Sequence, residues 1–174
     1  MKTFMILFTV GKDRPGIVHD VSTLLFERDA NIEDSRMAVL GGCFSIMTLF
    51  SCESESLDAI KSGLNALKKL DLETFLYEAQ DPAAGPPQVS LPLKFEIIAM
   101  DHPGIVQKVV RVLHGYNVNI QALNTRVIRA PHSGAPLFDL LLEAEIPPDK
   151  PIARLKTELM DLAEDLNLDI NFIK

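Results

Sequence analysis

The sequence predicts an α+β protein built twice over, with two successive βαββαβ units, each an antiparallel sheet carrying its two helices on one face. Three observations predict it. A block near the N-terminus recurs at an offset of 88 residues. Both halves show the same succession of β-rich runs and helical apolar spacings. A Pro- and Gly-rich stretch separates the halves.

The repeat carries the rest. Asp13-Arg14-Pro15-Gly16-Ile17-Val18 returns as Asp101-His102-Pro103-Gly104-Ile105-Val106. The same offset pairs Val21 with Val109, Leu25 with Leu113, Asn31 with Asn119, Ile32 with Ile120 and Val39 with Val127. In all, 10 of the 27 positions from 13 to 39 are identical in one unbroken register.

In the first half, Met5 to Val10 reads as a strand. Pro15-Gly16 then opens a helix, with the proline expected at its first turn. Ile17, Val21, Leu24 and Leu25 continue that helix at helical spacing. Asn31-Ile32 begins a second strand, and Gly41-Gly42 makes a tight hairpin into a third, Cys43 to Cys52. Leu57, Ile60, Leu64 and Leu67 mark a second helix, and a last strand lies near Glu73–Ala79.

The second half follows suit. Its strand Leu93 to Ala99 leads into a helix with Ile105, Val109, Val112 and Leu113. Asn119-Ile120 begins the next strand, and a longer hairpin, Pro131 to Pro136, precedes Leu137 to Glu145. Ile152, Leu155, Leu159 and Leu162 form the final helix before Leu168–Ile173. Leu57 to Ile152 is an offset of 95, so seven residues are inserted, with the hairpin tip the expected place. The chain therefore divides into a domain at 1–80, a semi-rigid linker at 81–92 and a domain at 93–174. Both domains read as ferredoxin-like.

Composition limits the function. Hydrophobic residues make up 47% of the 174 and aromatic residues 6%, which calls for an aliphatic core. The formal charge is −7, with 8 basic and 13 acidic residues in 1–88 against 9 and 11 in 89–174. Neither half has the cationic surplus that phosphate neutralisation requires, so direct nucleic-acid binding is not expected. No paired sheet aromatics suggest base stacking. No apolar run is long enough to span a membrane, and no cleavage site follows the short apolar N-terminus. Cys43 and Cys52 sit at the two ends of one strand, about 30 Å apart, too far to bridge. Both are expected to be buried, free thiols, which suits a reducing cytoplasm.

Candidate function gathers on the repeated loop. A glycine after a strand and before a helix lets a ligand approach N–H groups that lack an intrahelical partner, and the helix dipole favours a carboxylate. Asp13 and Asp101 could face an ammonium group, and Asn31 and Asn119 offer amides that donate and accept. The alternative is a purely structural role, with Asp capping the helix, Pro-Gly starting it and Asn turning the chain into the strand, and no ligand bound. On the ligand-binding view, Gly16→Ala and Gly104→Ala should abolish ligand response without lowering the unliganded melt. His19, His102, His114 and His132 show no metal-ligand spacing, and only His102 and His132 are candidate contacts. No motif for a nucleophile elbow, a P-loop or a dinucleotide site is present. No cofactor, metal or catalytic residue is expected.

The Asp-x-Pro-Gly-Ile-Val runs at 13–18 and 101–106, with the Asn-Ile pairs at 31–32 and 119–120, resemble the ACT domain, a small-molecule regulatory module. Two such domains filling the chain, with the long hairpin Ala130 to Phe138, resemble the glycine cleavage system transcriptional repressor family. The resemblance implies an amino-acid ligand near the loop after the first strand and a protein partner that binds DNA. Two other classes remain open: a regulatory subunit of an amino-acid enzyme, or an acylphosphatase-type enzyme using Arg14, which the second repeat replaces with His102. Open sheet edges lead us to expect the halves to associate and the chain to form a homodimer.

Overall fold

The computed structural model describes residues 1–84, 89–130 and 133–173. The chain forms two compact units, Met1–Pro86 and Pro87–Lys174. Unit 1 runs β1 (Lys2–Lys12), α1 (Ile17–Phe26), β2 (Asn31–Leu40), β3 (Cys43–Glu53), α2 (Leu57–Lys68) and β4 (Leu72–Ala79), with a 3₁₀ turn at Ser54–Ser56 before α2. Unit 2 runs β5 (Leu91–Met100), α3 (Ile105–Gly115), β6 (Asn119–Arg129), β7 (Pro136–Ile146), α4 (Ile152–Asp165) and β8 (Asp169–Ile173). Each sheet has four antiparallel strands, ordered β2-β3-β1-β4 and β6-β7-β5-β8.

One face of each sheet packs on its helices. In unit 1, Met5, Leu7, Phe44, Ile46 and Phe50 meet Ile17, Val21, Leu25, Ile60, Leu64 and Leu67. In unit 2, Phe95, Ile97, Leu140 and Leu142 meet Ile105, Val109, Leu113, Leu155 and Leu159. The alternation along each strand and the 3-4 spacing along each helix place these residues there.

The repeat extends to details that sequence identity misses. Both second strands carry a bulge at the same place, between Ile32 and Asp34 and between Ile120 and Ala122. Asp29 and Asn117 (φ 53 and 54) end the first helices, and Asp71 and Asn167 (φ 58 and 51) follow the second. Asp and Asn tolerate this left-handed conformation because the short polar side chain bonds locally. The chain thus turns at Asp29 and Asn117, two residues before the asparagines expected to do so.

Four further expectations are corrected. Pro15 and Pro103 lie outside the helices, which begin at Ile17 and Ile105 after Gly16 and Gly104. The insertion is divided: Asn31 pairs with Ser51 but Asn119 with Glu145, which puts six residues in the hairpin, and the seventh falls between β7 and α4. Leu91 and Pro92, read as linker, belong to β5, where Pro92 pairs with Glu145. Pairing with β8 starts only at Lys94, so the missing proline N–H leaves no ladder bond unmade on that side. Cys43 is exposed, whereas Cys52 is buried. Nine positions apart, they point to opposite faces of β3, and only Cys52 shares the core side with Phe44, Ile46 and Phe50.

One core feature separates the units. Thr9, Thr48 and Thr74 carry buried hydroxyls without a hydrogen-bond partner among the described residues, and Thr9 lies directly opposite Thr74. Matched by strand register, unit 2 has Ile97, Leu142 and Ile170 at these positions.

Candidate functional site

The repeated loop joins the end of the first strand to the first helix in each unit. Its geometry rests on the glycine. Gly16 adopts φ 94, ψ −6 and Gly104 φ 98, ψ −4, a region open to glycine and strained for residues with a Cβ. Both carbonyls accept the first helical bond, from Asp20 N–H at 2.9 Å and Lys108 N–H at 3.0 Å. Among the described residues no side chain caps either helix, so neither Asp13 nor Asp101 acts as a helix cap. Ile17 and Ile105, 1% and 2% exposed, anchor the first turn in the core and fix where its N–H groups point.

The hairpin between the second and third strands meets the start of the loop through one backbone hydrogen bond in each unit. Asp13 N–H donates to the Gly42 carbonyl at 2.9 Å, and Asp101 N–H faces the Pro136 carbonyl at 3.5 Å. Gly41 and Gly42, with φ 58 and 79, make this close turn in unit 1. The inserted tip in unit 2 includes Pro131 and His132, which lie outside the described residues.

The two loops differ in what surrounds them. In unit 1 the Arg14 guanidinium bonds the Asp20 carboxylate at 2.9 Å and the Pro15 carbonyl at 3.3 Å, lying over the helix start. In unit 2 His102 and Lys108 stand at these two positions, and His102 Nδ1 lies 3.2 Å from the Pro103 carbonyl oxygen. An open groove of about 850 Å³ runs there from Asp101, His102, Pro103 and Gly104 along the flank of α3 to His114.

Residues 3–77 match the family model of the ACT domain. That match spans nearly all of unit 1, so the first unit is similar to an ACT domain along almost its whole length. Unit 2, outside that match, repeats unit 1 in strand order, register and bulge. A glycine cleavage system transcriptional repressor of Escherichia coli (strain K12) is 25% identical over 164 residues, 94% of this chain and 86% of the relative. An unknown protein from Galdieria sulphuraria superposes with a TM-score of 0.85 at 29% identity, covering 99% of this chain and 98% of that one. A structure described as a candidate glycine cleavage system transcriptional repressor superposes with a TM-score of 0.71 at 22% identity, covering 100% and 99%, and shares the fold.

Within each unit the predicted residues separate into two groups. Asp101 to Val106 line the groove together, and Asp13 to Val18 form the matching loop. Asn31 and Asn119 lie at the other end of the sheet. Asn31 is level with Ser51 and Phe4, and the loop begins only after Lys12. Eight strand residues separate those levels, roughly 27 Å. Asn119, level with Glu145 and Pro92, is placed likewise.

Sequence reasoning missed Gln107, Val110, Arg111 and Phe138, and it set His114 aside. Gln107, Arg111 and His114 follow helical spacing on the flank beside the buried stripe Ile105, Val109 and Leu113. That polar flank was the available signal. Among the described residues, no group of three or more His, Cys, Asp or Glu is placed to hold a metal, and no helix is long and apolar enough to cross a membrane.

Proposed function

We propose that this chain is a cytoplasmic, non-enzymatic sensor of an amino acid that regulates transcription by contacting a DNA-binding protein. Its likeness to the glycine cleavage repressor along nearly the full length of both chains carries this reading. The acidic charge of −7 agrees with a regulator that reaches DNA through a partner.

The second loop is the proposed ligand site. The N–H groups of Ile105, Val106 and Gln107 open α3 without a side-chain cap and suit a carboxylate. Asp101 faces the ammonium group, and Gln107, Arg111 and His114 along the groove select the side chain. In the first loop the Arg14–Asp20 pair occupies the corresponding position, so binding there is weaker or absent.

A thermal-shift screen of the twenty amino acids tests this. A ligand at 100 times its dissociation constant stabilises the fold by about 2.7 kcal/mol, a shift of several degrees. Arg111→Ala should reduce that shift while leaving the unliganded melt in place. No shift with any amino acid at millimolar concentration would overturn the sensor reading. Co-purification with a metabolic enzyme rather than a DNA-binding protein would overturn the transcriptional part alone.

A further inference from the structure

We propose that the helix-free face of the first sheet is a self-association surface that receives the same face of a second copy of this chain. Alternation along β1 sends Met5, Leu7 and Thr9 to the helices, and Phe4, Ile6 and Phe8 to the other side. By register, Met47 and Leu49 on β3 and Phe75 and Tyr77 on β4 join this second set. Phe75 is 52% exposed, Tyr77 59% and Met47 45%. The Phe8 and Tyr77 rings meet edge to face at 5.5 Å, and with Ile6 and Phe75 they form a shallow apolar recess. The first sheet therefore does carry paired aromatics, which strand register rather than sequence spacing brings together. A sheet face this apolar is unusual unless something covers it.

The second sheet shows that the fold does not require such a face. Ile6 pairs with Leu49, and at the matching register Lys94 pairs with Glu143, joined by an ion pair at 2.6 Å. Glu96 and Asn171 stand where unit 1 has Phe8 and Phe75. Burying that charged face against the aromatic one would strip water from Lys94, Glu96 and Glu143, so it is a poor match.

A second copy of the first sheet fits. The centre of the face is uncharged, and its margin carries both signs, with Lys2, Lys12 and Arg36 beside Glu33, Asp34 and Glu73. A two-fold axis lets cations of one copy meet carboxylates of the other. Four strands of eight paired residues give roughly 500 Å² of face per copy, about 1,000 Å² in total, the lower bound for a specific interface.

The test transplants unit 2's own residues. Sedimentation from micromolar to sub-millimolar concentration should give the parent chain twice its 19.3 kDa mass. Ile6→Lys with Leu49→Glu recreates a pair that the second sheet already holds, and Phe75→Asn alters an exposed position. Each should weaken dimerisation about tenfold or more, with the circular dichroism spectrum unchanged. Ile98→Lys, on the same face of the second sheet, should leave the dimer intact. A monomeric parent, or a dimer that survives both the double variant and Phe75→Asn, would overturn the proposal.

Discussion

Replacing Gly104 by alanine isolates a pure backbone cost. Among the described residues, a Cβ at Gly104 would have no neighbour within 4 Å, so none of them adds a clash. At Gly16 the nearest atom is the Arg14 guanidinium at 3.8 Å, an ordinary contact. What remains is the dihedral: φ 98 and 94 lie where an L-residue is strained by about 1–3 kcal/mol. Alanine recovers about 0.4–1 kcal/mol by stiffening the unfolded chain, leaving a net loss of about 1 kcal/mol at each site. For a domain of this size that lowers the melting temperature by about 4–8 °C. This reverses the expectation drawn from helix propensity alone, which applies inside a helix and not at a left-handed residue before its first turn. Urea unfolding of Gly16→Ala, Gly104→Ala and Gly104→Asn measures it. Asparagine, more tolerant of positive φ, should lose less than alanine. Alanine variants as stable as the parent would refute the dihedral argument.

Three more outcomes are expected. Thr9→Val and Thr48→Val should each stabilise unit 1 by about 1 kcal/mol, since an unpartnered buried hydroxyl costs about 1–3 kcal/mol, and Ile97 and Leu142 already serve unit 2; an unchanged urea midpoint would show that the hydroxyls are satisfied. Cys43 should react promptly with a thiol reagent in the folded protein, while Cys52 waits for unfolding, because burial, assisted by Glu53, pushes its thiol pKa up; two equally fast thiols would contradict this. A hydrogen bond from the Ser51 hydroxyl, helped by Asn31 and Lys2, holds the Glu33 carboxyl below the usual carboxylate range. That contribution to stability is present above the unfolded carboxylate range and is lost as pH falls through the folded value. Glu33→Gln should therefore flatten the acid limb of melting temperature against pH, and an identical limb would argue against it.

The sequence by itself determined the tandem fold, because periodicity and turn chemistry are local. Two-residue alternation marks strands, 3-4 spacing marks helices, and one register carried both across the repeat. It also determined which loop to inspect, since Pro-Gly between a strand and a helix constrains the backbone wherever it occurs. Only the tertiary structure decided what shares a site with that loop. Asn31 and Asn119 share the repeat with the loop yet lie at the far end of each sheet, because the helix returns the chain to the start of the first strand before the second begins. Gln107, Arg111 and His114 join the groove because the buried stripe of α3 fixes its rotation and turns that flank outward. The contrast between the two uncovered faces, Ile6 and Phe8 against Lys94 and Glu96, is written in the residues. Its meaning depended on strand register, since a shift of one residue would exchange core face and open face.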